Sequence, residues 1–135
     1  MKILIFALIV GFGGFAGSIA RYGLSLAFQK YSIVMPVGTI GANIIGCFII
    51  GIIAHFSTGT GLLSPEMRLL LATGFCGGFT TMSSFVYEST QMIKSNEMYY
   101  ASLYFLITIA GSFMAFFLGL LIAHLIFNRS GGLWN

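Results

Sequence analysis

Charge is what this chain has least of. Six Lys and Arg and three Asp and Glu make up 7% of 135 residues, against a hydrophobic share of 58% and a mean hydropathy of +0.99. A water-soluble domain of this size does not read this way, so the class is a polytopic membrane protein. Cysteine is also scarce. Cys47 and Cys76 both fall inside apolar stretches, where they behave as small hydrophobes and give no redox signal. Catalytic motifs are missing too: there is no Gly-x-Ser-x-Gly, no His-Glu-x-x-His and no nucleophile–base pair. His55 and His124 sit at the edges of apolar stretches, where interfacial hydrogen bonding is expected, and form no metal motif with Cys or Glu. These absences argue against an enzyme, and nothing points to nucleic acid.

What remains is nearly all membrane. Four apolar stretches run over about Ile3–Phe28, Pro36–Phe56, Met67–Ile93 and Met98–Phe127. Each supplies the roughly 20 residues that cross a hydrocarbon core, with room for tilt. The expectation is one all-α domain, 1–135, of four transmembrane helices. The start of the first stretch looks like a secretory signal, with Lys2 before an apolar run and small residues Ala16-Gly17-Ser18. The run nevertheless carries Gly11, Gly13, Gly14 and Gly17 and continues past Arg21 to Phe28, so it is expected to stay as the first span.

The net charge of +3 is divided evenly. With four spans, Lys2, Arg68 and Arg129 fall on one side and Arg21, Lys30 and Lys94 on the other. The basic bias that normally sets orientation is absent. Either a single charge or a slow first helix decides the matter, or the chain inserts both ways and pairs as an antiparallel dimer; the even split favours the second. Small residues recur at four-residue spacing in every span, as in Gly13/Gly17, Gly38/Ala42/Gly46, Gly74/Gly78 and Gly111/Ala115/Gly119. These are packing seams, because apolar burial does not drive helices together in lipid. Four helices packed that closely leave no central pore, so a conduction route must run at a subunit interface.

The third stretch is interrupted by Gly77-Gly78 and then by the hydroxyl run Thr80-Thr81-Met82-Ser83-Ser84. A broken helix at membrane depth must be buried in protein or line a cavity, and in transporters such breaks bind ions. Other intramembrane polar residues are functional candidates for the same energetic reason. Arg21 is either a snorkelling anchor or a functional cation. Asn43 is either interhelical glue or a source of amide donors for a desolvated anion. Glu88 can carry protons, pair with a cation or reach an aqueous vestibule. Phe79 and Phe85 are either core or lipid-facing residues or pore contacts, since a ring edge carries the positive part of the quadrupole and can touch an anion without trapping it.

At these residues the chain resembles the Fluc (CrcB) family of fluoride channels, over almost its full length. The likeness rests on Gly13-Gly14-x-x-Gly17-x-x-x-Arg21-Tyr22, on Pro36-x-Gly38-Thr39-x-x-x-Asn43-x-x-Gly46-x-Phe48-x-x-Gly51, and above all on Thr73-Gly74-Phe75-Cys76-Gly77-Gly78-Phe79-Thr80-Thr81-x-Ser83-x-Phe85. The resemblance implies an antiparallel dual-topology homodimer in a bacterial cytoplasmic (inner) membrane, with two fluoride pathways. It implies a structural sodium ion at the dimer centre on the backbone carbonyls of Gly77 and Thr80. It maps the pore asparagine onto Asn43 and one pore phenylalanine onto Phe85, while the other phenylalanine position is Met82 here. A polar track over Ser83, Ser84, Thr108 and Ser112, with Tyr104 nearby, is implied as well. Glu88 matches a family glutamate near the pore, and Arg21 and Gly78 are structural positions.

Three other readings compete. A proton-coupled exporter of the small multidrug resistance type needs an acid in the first span, and Ile3–Phe28 has none. An intramembrane enzyme lacks its motifs. An accessory subunit explains the seams but not the break with its hydroxyl run.

Overall fold

A computed structural model describes residues 1–58 and 62–127, so Arg129 of the charge count lies outside the described residues. Among these residues the chain is helical, with four helices long and apolar enough to cross a membrane. Helix α1 spans Lys2–Ala27 and is followed by one 3-10 turn, Gln29–Tyr31. Ser32 ties this corner together: its hydroxyl donates to the Phe28 carbonyl (3.0 Å) and accepts from Val37 N–H (3.2 Å), which opens α2, Val37–Thr58.

The third span, Pro65–Lys94, is built from pieces. Ser64 caps α3, Pro65–Arg68, by accepting from Met67 N–H at 3.2 Å, with Pro at the first position and Glu66 in the first turn. A π-helical stretch, Leu69–Cys76, follows and runs into α4, Gly77–Phe79. Thr80 (φ −81°, ψ 157°) and Thr81 (φ −150°, ψ 110°) are extended, and α5 resumes over Met82–Lys94. The interruption therefore falls at Thr80–Thr81, two residues beyond Gly78, rather than at the glycine pair itself. Gly77 itself is helical (φ −62°, ψ −35°).

Helix α5 closes in a Schellman motif: Glu97 N–H donates to the Met92 carbonyl (2.9 Å) and Asn96 N–H to that of Ile93 (3.1 Å). Asn96 takes φ 60°, the left-handed conformation that Asn tolerates best after Gly. Helix α6 then runs from Met98 to Phe127.

Glycines set the packing. A Cβ on Gly13 would strike the Leu70 carbonyl, one on Gly17 the Phe75 carbonyl, and one on Gly78 the Gly14 carbonyl, so α1 lies backbone-to-backbone on the first half of the third span. Likewise Gly51 meets the Phe116 carbonyl and Gly119 that of Phe48, seating α2 along α6. Such contact is how helices associate where apolar burial gives no drive. The buried cluster Phe85, Met92, Ala101 and Tyr104 joins α5 to α6, with Met35, Ile40 and Ile109 packed on it. Large apolar side chains such as Phe12, Phe15, Phe105 and Phe113 point outward, as a lipid or partner environment requires.

Candidate functional site: a polar break in the third span

Extending two residues inside a membrane span strands backbone groups, and Asn43 and Thr81 answer most of that cost. Thr81 N–H donates to Asn43 Oδ1 at 2.7 Å, and Asn43 Nδ2 donates to the Thr81 carbonyl at 3.2 Å. This two-point pairing fixes the amide's orientation, since the N–H needs an acceptor and the carbonyl a donor. Asn43 is only 9% exposed. It is thus helix glue as well as a donor, and one of its two N–H groups remains for a ligand.

The Thr81 hydroxyl caps α5 by accepting from Ser84 N–H (3.2 Å), donates to Ser84 Oγ (3.0 Å) and lies 3.2 Å from Ser83 Oγ. Thr80 N–H and Thr80 Oγ1 both donate to the Cys76 carbonyl at 2.9 Å. Because Thr81 N–H turns to Asn43, the Gly77 carbonyl loses its helical donor. Among the described residues no hydrogen bond ends on the carbonyl of Gly77 or Thr80. Gly77 is exposed, and a Cβ there would meet nothing within 4 Å.

About two helical turns beyond Thr81, Glu88 is gripped from two sides. Thr39 Oγ1 of α2 donates to Oε1 (3.0 Å) and the Tyr104 hydroxyl of α6 donates to Oε2 (2.6 Å). Tyr104 is fully buried, and Phe85, 3% exposed, packs on it with centroids 5.1 Å apart and on Phe105 at 5.6 Å. Two linked polar clefts, of about 250 and 220 Å³, lead here from the α1–α2 corner. Gln29, Ser32 and Pro36 line the outer one, Ser18, Arg21, Thr81 and Ser84 the inner one, and Ser25, Thr39 and Glu88 both. Arg21 therefore stands in the wall of a polar cleft, in the same cavity as Glu88.

Tyr104, Thr108 and Ser112 follow at four-residue intervals on one stripe of α6. Thr108 is 3% exposed and its hydroxyl has no hydrogen-bond partner. Ser112 lies apart from Glu88, in an apolar pocket with Cys47, Phe113, Phe116 and Phe117. Met82 is 65% exposed on the open face of the chain, and Ser83 is exposed beside it. Sequence reasoning named neither Thr39 nor Thr81 as a site residue. The signals were present: Thr39 precedes Asn43 by one turn, and Thr81-x-x-Ser84 has the form of an N-cap. The Nε2 of His55 is buried and has no hydrogen-bond partner among the described residues.

Comparison with known proteins places the chain in a family. A family model described as CrcB-like protein, Camphor Resistance (CrcB), matches residues 8–120. A protein of Prosthecochloris aestuarii (strain DSM 271 / SK 413), named Fluoride-specific ion channel FluC, is 47% identical over 116 residues, covering 86% of this chain and 91% of that one. A protein of the same name from Chlorobaculum tepidum is 48% identical over 118 residues, 87% of this chain and 94% of its own. Fluoride-specific ion channel FluC 1 of Methanosarcina acetivorans is 38% identical over 112 residues, 83% and 86% of the two chains. With a match of that extent along its spans, the chain belongs to the CrcB family.

Proposed function

We propose that this protein is a passive, fluoride-selective channel of a bacterial inner membrane that lets fluoride leave the cell down its gradient. The observation that carries the reading is the Thr80–Thr81 break, which gathers neutral donors in an otherwise apolar span. Fluoride is small and strongly hydrated, so a pore must replace water with donors yet hold the ion loosely enough to release it. The remaining Asn43 N–H, the hydroxyls of Ser83, Ser84 and Thr108, and the edge of Phe85 offer such contacts. An unpartnered hydroxyl costs about 1–3 kcal/mol when buried; a passing anion would satisfy that of Thr108. Ser112 and the flexible, polarizable Met82 extend the lining toward the open face. Glu88 keeps Thr39 and Tyr104 in place, and Arg21, which lines the same inner cleft, offsets its charge.

The working unit in this reading is an antiparallel, dual-topology homodimer. Its support is the even three-against-three division of Lys and Arg and the unfilled space over Gly77. Two such faces meeting on a two-fold axis would bring together four carbonyls, from Gly77 and Thr80 of each chain. Carbonyl oxygens without donors suit a small hard cation, so sodium fits there as a structural ion. When bound it would supply a fixed positive field near the anion path; the chain's own contribution is to free those carbonyls by turning Thr81 N–H to Asn43.

The alternative of a proton-coupled exporter has no acid in α1 to carry its coupling. Imposing a pH gradient on liposomes containing the purified chain separates the two. A channel passes fluoride without counter-transported protons; tight proton coupling would favour the exporter.

A further inference from the structure

At the other end of the bundle, away from the polar break, two imidazoles meet. Helices α2 and α6 run parallel, as spans two and four of the same chain must, and each carries one imidazole in its last turn, His55 and His124. Their ring centroids are 5.7 Å apart and their planes stand at 90°. His55 is 6% exposed, and its Nε2 has no partner. Apart from Thr108 on the permeation stripe, it is the one such atom among the described residues. Phe56 packs edge-on to His55 at 5.4 Å and Phe127 to Phe56 at 4.9 Å, so the pair is walled by rings.

We propose that His55 and His124 form a binding site for a transition-metal dication of the zinc class, bridging α2 to α6. Three observations converge on it. Two imidazoles that ligate one ion at about 2.0–2.1 Å hold their centroids roughly 5–6 Å apart, so the observed spacing needs no helix movement. The last described turns of α2 and α6 lie side by side here, where carbonyls near a helix C-terminus favour a cation. The orphaned Nε2 of His55 gains in the metal the partner it lacks. A donor set of neutral imidazoles selects zinc, copper or nickel over calcium or magnesium. No cluster of three or more His, Cys, Asp or Glu occurs among the described residues, so water completes the coordination at the half-buried rim of His124.

The test is calorimetric titration of the purified full chain with zinc chloride, backed by the visible spectrum of added cobalt(II) and by thermal unfolding. The expected result is one ion per chain, a raised Tm with zinc, and both effects weakened roughly tenfold or more by His124→Gln. His124 is the safer residue to change because His55 is the more buried. Zinc affinity unchanged in His124→Gln, or uptake no greater than in the double variant H55Q/H124Q, would overturn the proposal. So would a pair that responds to acid alone, with no metal uptake, since the imidazoles would then be sharing only a proton.

Discussion

Asn43 and Thr81 are joined at two points, with the amide oxygen on the backbone N–H at 2.7 Å and the amide nitrogen on the carbonyl at 3.2 Å. The side chain thus stands in for the helical turn that the break removes, and it binds α2 to the third span. Asn43→Asp keeps the acceptor but sets a carboxylate against the Thr81 carbonyl and deletes the spare donor. Fluoride flux is expected to fall by well over an order of magnitude. The unpaired buried carbonyl adds a stability cost of about 1–3 kcal/mol. Flux in liposomes and thermal unfolding measure the two separately. Normal conduction in a stable Asn43→Asp variant would leave Asn43 as glue alone.

Thr81 caps α5 through its hydroxyl. Thr81→Ala removes that acceptor and is expected to cost about 1 kcal/mol, read as a lowered Tm, while Thr81→Ser keeps the cap and the stability. Equal melting of the two variants would show that the cap contributes nothing.

Phe85 and Met82 make a contrasting pair. Phe85 is buried against Tyr104 and Phe105, so Phe85→Ile removes a ring from both contacts and is expected to lower flux severely with a modest loss of stability. Met82 is exposed, so Met82→Phe meets no packed neighbour within the chain and is expected to conduct. Flux measured beside protein yield settles both.

Gly77 separates fold from assembly. Nothing within the chain opposes a side chain there, whereas one on Gly78 would strike the Gly14 carbonyl. Gly77→Val is expected to leave the single chain folded while weakening both dimer and flux. Thr80→Ser keeps the hydroxyl bond to Cys76 and should keep a bound sodium. A Gly77→Val protein that elutes and conducts as the wild type would remove the two-fold contact from the account.

Much of this was legible in the sequence. Hydropathy placed the spans: α6 begins at Met98 as read and is helical to Phe127, the last described residue, and the others differ by one or two residues at their ends. The glycine seams were legible because only Gly permits carbonyls to approach a neighbouring backbone. The position of the break was not. Gly77-Gly78 reads as a helix breaker, yet Gly78 serves close packing on Gly14, and the chain extends at Thr80–Thr81, where β-branched residues favour extended backbone and hydroxyls can bond the freed groups. The π-helical register of Leu69–Cys76 left no mark either, since Leu-Leu-Leu-Ala-Thr serves an α-helix equally well. Glu88 was visible as an intramembrane acid, but its partners Thr39 and Tyr104 lie on other helices and meet it only through tertiary packing.

The proposed dual topology makes its own prediction. A C-terminal reporter is expected on both faces of the membrane, and two Lys added beside Lys2 should bias orientation and depress activity until an oppositely biased copy is co-expressed. One fixed orientation of the unmodified chain would end the antiparallel reading.

The central claim rests on selectivity for fluoride. Liposomes loaded with equal potassium fluoride and potassium chloride, carrying only this purified chain and opened to potassium with an ionophore, report it directly through ion-selective electrodes. Fluoride should empty rapidly while chloride stays inside. Chloride leaving at a comparable rate, or neither anion moving from liposomes shown to contain folded protein, would contradict the account.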